Sequence, residues 1–313
     1  MTRIENVRGI FIGESGLRPW WRFAAFFALA YVCLDQTDRY VTPWLLNALR
    51  VEPTLNAPLL IVSESVQLVV VVALTAVFAA FERRRIDRYG LPVERAFRSE
   101  FWDGTLAGIV VIALVGAAML AGGGFVIHGL GNALPRLLGS ALMWLVAMVL
   151  VGFSEELLFR GYLLDSLRRS VGFWPAAIVT SLIFGAAHIN KPGENFIDIF
   201  NIIVIGFFVC FTILRTGSLW WAIGFHMAFD YMQIFAIGTP NGSARPVDTL
   251  WNATFPGPAW LNGGVLGTEA SYLMLPAIAL LFVYVQRRYP GDRAQLPIDR
   301  GSGEAETFER AGG

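Results

Sequence analysis

Six side chains in this sequence have the types and spacing to carry out bond hydrolysis. Glu155 and Glu156 stand together with Arg160 one helical turn on. His188 follows Phe184 by four residues, and Asp230 follows His226 by four. Residues four apart share a helix face. All six lie in or beside long apolar runs, where a charged side chain facing lipid would cost roughly 2.5–3.5 kcal/mol even on lenient insertion scales. Several such groups in one half of the chain therefore point to an interior, water-accessible site within a membrane.

The chemistry each group could supply differs. Glu156 precedes Arg160 in the order that favours an intrahelical ion pair, which leaves Glu155 to activate water. Adjacent helical residues point about 100° apart, so the two glutamates are expected to face different ways. Asp230 could fix the tautomer of His226; the alternative is a purely structural pair. A lone histidine at the end of an apolar helix, like His188, is usually an interfacial side chain. The joint occurrence argues for function, because two of only three histidines fall in these pairs. The third, His128, sits in a glycine-rich stretch and is read as incidental.

The elements that must position them are helical. Of 313 residues, 55% are hydrophobic and only 15% charged, with a mean hydropathy of +0.56; soluble domains carry about a quarter charged residues. The fold class expected is an all-α polytopic transmembrane bundle. Eight apolar blocks, at 19–35, 59–81, 104–122, 137–168, 172–189, 197–214, 218–236 and 269–286, approach the ~20 residues that cross a bilayer. The fourth is long enough to tilt or protrude. A hairpin turn near Ser170 would put Glu155 about 22 Å and His188 about 27 Å from the turn, at similar depth, with His226 about 14 Å beyond Gly217.

Arginine placement orients the bundle. Arg3, Arg8 and Arg18 precede the first block, and Arg83, Arg84, Arg85, Arg88, Arg95 and Arg98 follow the second. Arg168 and Arg169 follow the fourth, Arg215 the sixth, Arg287 and Arg288 the eighth. The opposite loops are poorer in basic residues (Arg39, Arg50, His128, Arg136, Lys191 and Arg245). The positive-inside rule puts both termini in the cytoplasm. The expected organisation is a cytoplasmic N-terminal segment (1–18), three spans with a basic loop (19–136), and a core carrying the motifs (137–236). An external loop with little regular structure (237–268), a last span (269–290) and a disordered cytoplasmic tail (291–313) complete it. Residues 83–98 read as a charged topology loop or an interfacial amphipathic helix. No internal repeat, separate soluble domain or removable signal peptide is evident. Cys33 and Cys210 lie in apolar stretches as small hydrophobes. A net charge of zero gives no electrostatic case for a nucleic-acid partner.

Glu155-Glu156 with Arg160, Phe184 with His188, and His226 with Asp230 together resemble the three signature motifs of the CPBP family. These are the CAAX-prenyl-protease and bacteriocin-processing proteins, also called Abi, which are intramembrane proteases. The stretch 206–220 is similar to that family's run into its last motif, and the resemblance covers about a third of the chain, from Ala141 to Gln233. It implies an endopeptidase enclosed by spanning helices and open to the cytosolic side. The catalytic set would be Glu155, Glu156, Arg160, His188, His226 and Asp230. By the resemblance, Glu155 and His188 activate the attacking water, while His226 and Asp230 stabilise the oxyanion. Many relatives carry asparagine at the last position; an ionised Asp230 suits orienting His226 or binding a metal better than donating to an oxyanion. No other cofactor is implied, though Glu155, His188 and His226 would be an adequate zinc set with a position open for water.

The substrate would be a lipidated C-terminus, a leader peptide or another membrane protein's segment, reached alongside membrane lipid. The arginine- and alanine-rich composition suggests a bacterial inner membrane. The rival from another class is an ion- or proton-coupled transporter. Glu64, among Ser63, Ser65 and Gln67, is either its proton carrier or an interhelical hydrogen-bond partner. The absence of an inverted repeat argues against transport. A non-catalytic scaffold or immunity protein is a third alternative, disfavoured by the intact acid and both histidines.

Overall fold

The computed structural model describes residues 12–13, 16–189 and 192–293. Arg3, Arg8, Lys191 and the tail beyond Arg293 lie outside the described residues. Every expected apolar block contains a helix. Four are long and apolar enough to cross a membrane: α3 (Ala57–Phe81), α4 (Ser99–Ala121), the continuous stretch Leu134–Val171, and α8 (Phe196–Thr216). The other four blocks form shorter or less apolar helices: α1 (Pro19–Gln36), α7 (Phe173–Ala187), α9 (Trp220–Asp230) and α11 (Met274–Arg288). α1 runs through a π segment into α2 (Thr42–Ala48).

Leu134–Val171 is the fourth block, and its 38 residues exceed what a bilayer needs. It consists of α5 (Leu134–Glu156), a π segment (Leu157–Tyr162) and α6 (Leu163–Val171). Gly172, at φ +85°, then reverses the chain into α7. Gly217, at φ +74°, ends α8 in the left-handed conformation and starts the turn into α9; glycine adopts that conformation at little cost. Asn56 and Asn195 cap α3 and α8, their side chains accepting main-chain N–H bonds at 2.8–3.1 Å.

Small residues bring the central helices together. α4 and α9 pair most extensively. A Cβ on Gly104 would collide with the Trp221 carbonyl oxygen, and one on Gly224 with that of Phe101. α3 packs on α5, α5 on α9, α7 on α8, and α8 on α11. α8 is the most buried of the four long helices and α3 the least. Val69 and Phe81 on α3 expose much of their apolar surface.

The arginines after the second and fourth blocks meet at one end of the bundle. Glu82 pairs with Arg22, Arg84 and Arg169, and Asp165 with Arg84, Arg168 and Arg169. Arg95 donates to the Thr216 carbonyl there at 2.7 Å.

Short elements occur outside the long helices. The chain is mostly helical, as expected, with two short antiparallel ribbons: β1 (Ile12–Gly13) with β2 (Gly16–Leu17), and β3 (Val126–Leu130) with β4 (Trp251–Thr254). The stretch 238–267 contains β4 and the short α10 (Ala259–Asn262). β-branched and aromatic residues at Val126, Ile127, Trp251 and Thr254 favour strands. His128 lies on exposed β3 within hydrogen-bond distance (2.9 Å) of Thr254. Of the two alternatives for residues 83–98, the charged loop is the one observed, with two 3₁₀ turns at Ile86–Arg88 and Val93–Arg95. Gly90 at φ +99° and Pro92 interrupt any longer helix.

Candidate active site

α5 delivers Ser154, Glu155 and Glu156 at its C-terminal end, just before the π segment that carries Arg160. α9 delivers His226 and ends at Asp230, where a second π segment, Tyr231–Ile237, begins. Isolated π turns inside helices frequently mark functional sites. α7 ends at its C-cap, His188. All six sequence-derived residues line one cavity of ≈220 Å³, together with Glu64 from α3 and a wall of Leu60, Met148, Phe225 and Phe229.

His226 is the hub. Its Nδ1 lies 2.7 Å from Glu156 Oε1, and its Nε2 lies 3.3 Å from Asp230 Oδ2 and 3.7 Å from Glu155 Oε2. Carboxylate oxygens thus face both ring nitrogens, and each N···O hydrogen bond requires a proton between its partners. The expectation that Glu155 and Glu156 face apart fails here. The imidazole stands between them and offers each glutamate a different nitrogen. Asp230 is also not the nearest partner of His226; Glu156 is.

Glu156 and Arg160 form the expected ion pair at 3.3 Å, with side-chain exposures of 1% and 0%. The guanidinium stacks over the Phe184 ring, 4.1 Å from its centroid. Gly206 makes room, because a Cβ there would lie 2.9 Å from Arg160 Nη2. The Phe184 carbonyl faces His188 Nδ1 at 2.8 Å. A carbonyl only accepts, so Nδ1 carries the hydrogen and Nε2 is the basic nitrogen of the neutral ring. Phe184 therefore serves both neighbouring motifs, its ring beneath Arg160 and its carbonyl setting the His188 tautomer.

Glu64 Oε2 accepts a hydrogen bond from Ser154 Oγ at 2.6 Å and from Gln67 Nε2 at 3.2 Å. It is an interhelical partner beside Glu155, the structural role anticipated for it. Gln233, Asn241 and Glu269 also line the cavity and were missed by motif reasoning. Gln233, one turn past Asp230, had a spacing signal; Asn241 and Glu269, in loops, had none. Cys210 is buried and Cys33 partly so, and both are free thiols.

The zinc set does not assemble. Among the described residues no three His, Cys, Asp or Glu side chains are grouped so as to hold a metal ion. Both nitrogens of His226 are directed at carboxylates.

A family model described as type II CAAX prenyl endopeptidase, Rce1-like, matches residues 137–232. The uncharacterised protein YyaK of Bacillus subtilis (strain 168) is 26% identical over 167 residues, which cover 50% of this chain and 55% of that protein. The match thus spans about half the length of that curated relative. No solved structure matches. The four long apolar helices and this match make the chain an integral membrane protein. Over residues 137–232 it is similar to the Rce1-like CAAX prenyl endopeptidases, the family that its three motifs resemble.

Proposed function

We propose that this protein is an intramembrane endopeptidase of the CPBP, CAAX-protease type that hydrolyses a peptide bond of a membrane-associated or lipidated substrate. The observation carrying the reading is the meeting of the first and last motifs at the 2.7 Å contact between Glu156 and His226, in a cavity that His188 also lines.

In this reading Glu155 takes a proton from a water in the cavity, and His188, through its basic Nε2, helps hold that water. The hydroxide attacks the scissile carbonyl. His226 Nε2–H turns from Asp230 towards the tetrahedral oxyanion; a donor of that kind is worth about 2.7–4 kcal/mol. Collapse breaks the C–N bond, and the proton held by Glu155 passes to the leaving amine, so the products are a carboxylate and an amine. Arg160 offsets the charge of Glu156, which in turn fixes His226 Nδ1. No step passes through a metal.

All eight apolar helices cross the membrane in this reading, with the arginine-rich end and both termini on the cytoplasmic side of a bacterial inner membrane. The test compares purified wild type with Glu155→Ala and His226→Ala on a quenched fluorogenic membrane peptide, with and without a chelator. Turnover should disappear in both variants and survive the chelator. A wild type inert across a broad peptide panel, or a Glu155→Ala variant of full activity, removes the proposal.

A further inference from the structure

Asp230 ends α9, and Gln233 sits one turn further, buried at 4% exposure. The Gln233 amide is engaged on both sides. Nε2 donates to Asp230 Oδ1 at 2.9 Å and to Glu269 Oε1 at 3.0 Å, while Oε1 accepts from Thr268 Oγ1 at 2.6 Å. Two carboxylate oxygens can be met only by the NH₂ end, and the Thr268 hydroxyl then serves the carbonyl end, so the network has one consistent amide orientation.

The turn that supplies these partners, Thr268–Ala270, is itself anchored. Asn201 of α8 donates to the carbonyl oxygens of Glu269 at 2.6 Å and Ser271 at 3.3 Å. Gly267, at φ +84°, brings the main chain against Pro240. Thr268 and Asn201 are fully buried. Gln233, Thr268 and Glu269 all lie beyond the family match, which ends at 232.

We infer that Gln233 is a positioning residue: held by the Thr268–Ala270 turn, it occupies Oδ1 of Asp230 and so presents Oδ2 to His226. The turn before the last helix thereby completes the site from outside the motif-bearing core. An asparagine at 230 would offer Gln233 the same Oδ1 acceptor. An acid in place of Gln233 would set a third carboxylate between Asp230 and Glu269.

The test uses full-length protein in micelles with ¹⁵N-labelled histidine. The chain has three histidines, so the ring-nitrogen signals can be assigned by single substitution. Gln233→Leu should shift the His226 signals and leave those of His128 and His188 in place. Asp230→Leu should shift them too, and adding Gln233→Leu to Asp230→Leu should move them no further. This inference rests on the protease reading only for its kinetic arm. There Gln233→Leu should lower kcat about 10–100-fold with KM within twofold, and cause no further loss in the Asp230→Leu background.

Unchanged His226 signals, or losses that multiply in the double variant, overturn the inference. Should Gln233→Leu fail to fold, Thr268→Val removes the orienting hydroxyl and gives the same readout. If wild type cleaves no peptide, the protease reading falls while the nitrogen signals still decide the role of Gln233.

Discussion

Replacing Arg160 by methionine keeps a long side chain over Phe184 but removes the guanidinium that lies 3.3 Å from Glu156. Both side chains are buried to within 1% of full burial, so solvent cannot take over the lost charge. Breaking a buried pair by removing one partner costs about 3–5 kcal/mol, mainly because the remaining charge is left uncompensated. His226 still meets Glu156 at 2.7 Å, which places the expected loss near the lower end, about 3 kcal/mol. At about 2 °C per kcal/mol for a chain of this size, the melting midpoint should fall about 6 °C. The assay is a thermal melt of the purified protein in detergent, followed by tryptophan fluorescence. The paired variant Glu156→Gln with Arg160→Met removes both charges and should recover most of the loss. A midpoint within about 1 °C of wild type for Arg160→Met refutes the charge-offset argument. So does a paired variant no more stable than the single one.

Asp230→Asn should lower kcat about tenfold, because an asparagine Oδ1 still accepts from Gln233 but its Nδ2, a donor, then faces the nitrogen from which His226 must donate. Asp230→Leu should lose about 100-fold or more, and equal losses in the two variants would refute the assigned geometry. Gly224→Val forces a side chain against the Phe101 carbonyl and Thr105 at the α4–α9 contact. Overpacking of about 1–3 kcal/mol should lower the melting midpoint. Gly139→Ala, at a position with nothing within 4 Å, should not lower it, and equal midpoints would sink the close-packing account of that helix pair.

Much of the architecture was legible because hydrophobic blocks are local. The helix pair on either side of Gly172 and the long fourth helix both follow from runs of apolar residues bounded by glycine and arginine. The pairing of Glu156 with Arg160 was legible for the same reason, since four-residue spacing on one helix needs no tertiary knowledge. The β3–β4 ribbon was not legible, because its strands lie about 120 residues apart and each is too short to stand out from a loop. Glu269 was equally silent, since a single acid before an apolar block has no periodicity to betray it.

By itself the sequence determined the helices, the end at which the arginines gather, and the six residues able to do chemistry, because each depends on composition and period within one segment. The tertiary structure decided which carboxylate meets which nitrogen of His226. The two glutamates, directed apart on an isolated helix, both reach the imidazole because Gly152 of α5 lies against the main chain of α9 at Ile223 and Met227, while Gly206 of α8 leaves room for Arg160. Rotation and approach of helices are set by packing between distant segments, and no spacing along one chain encodes them.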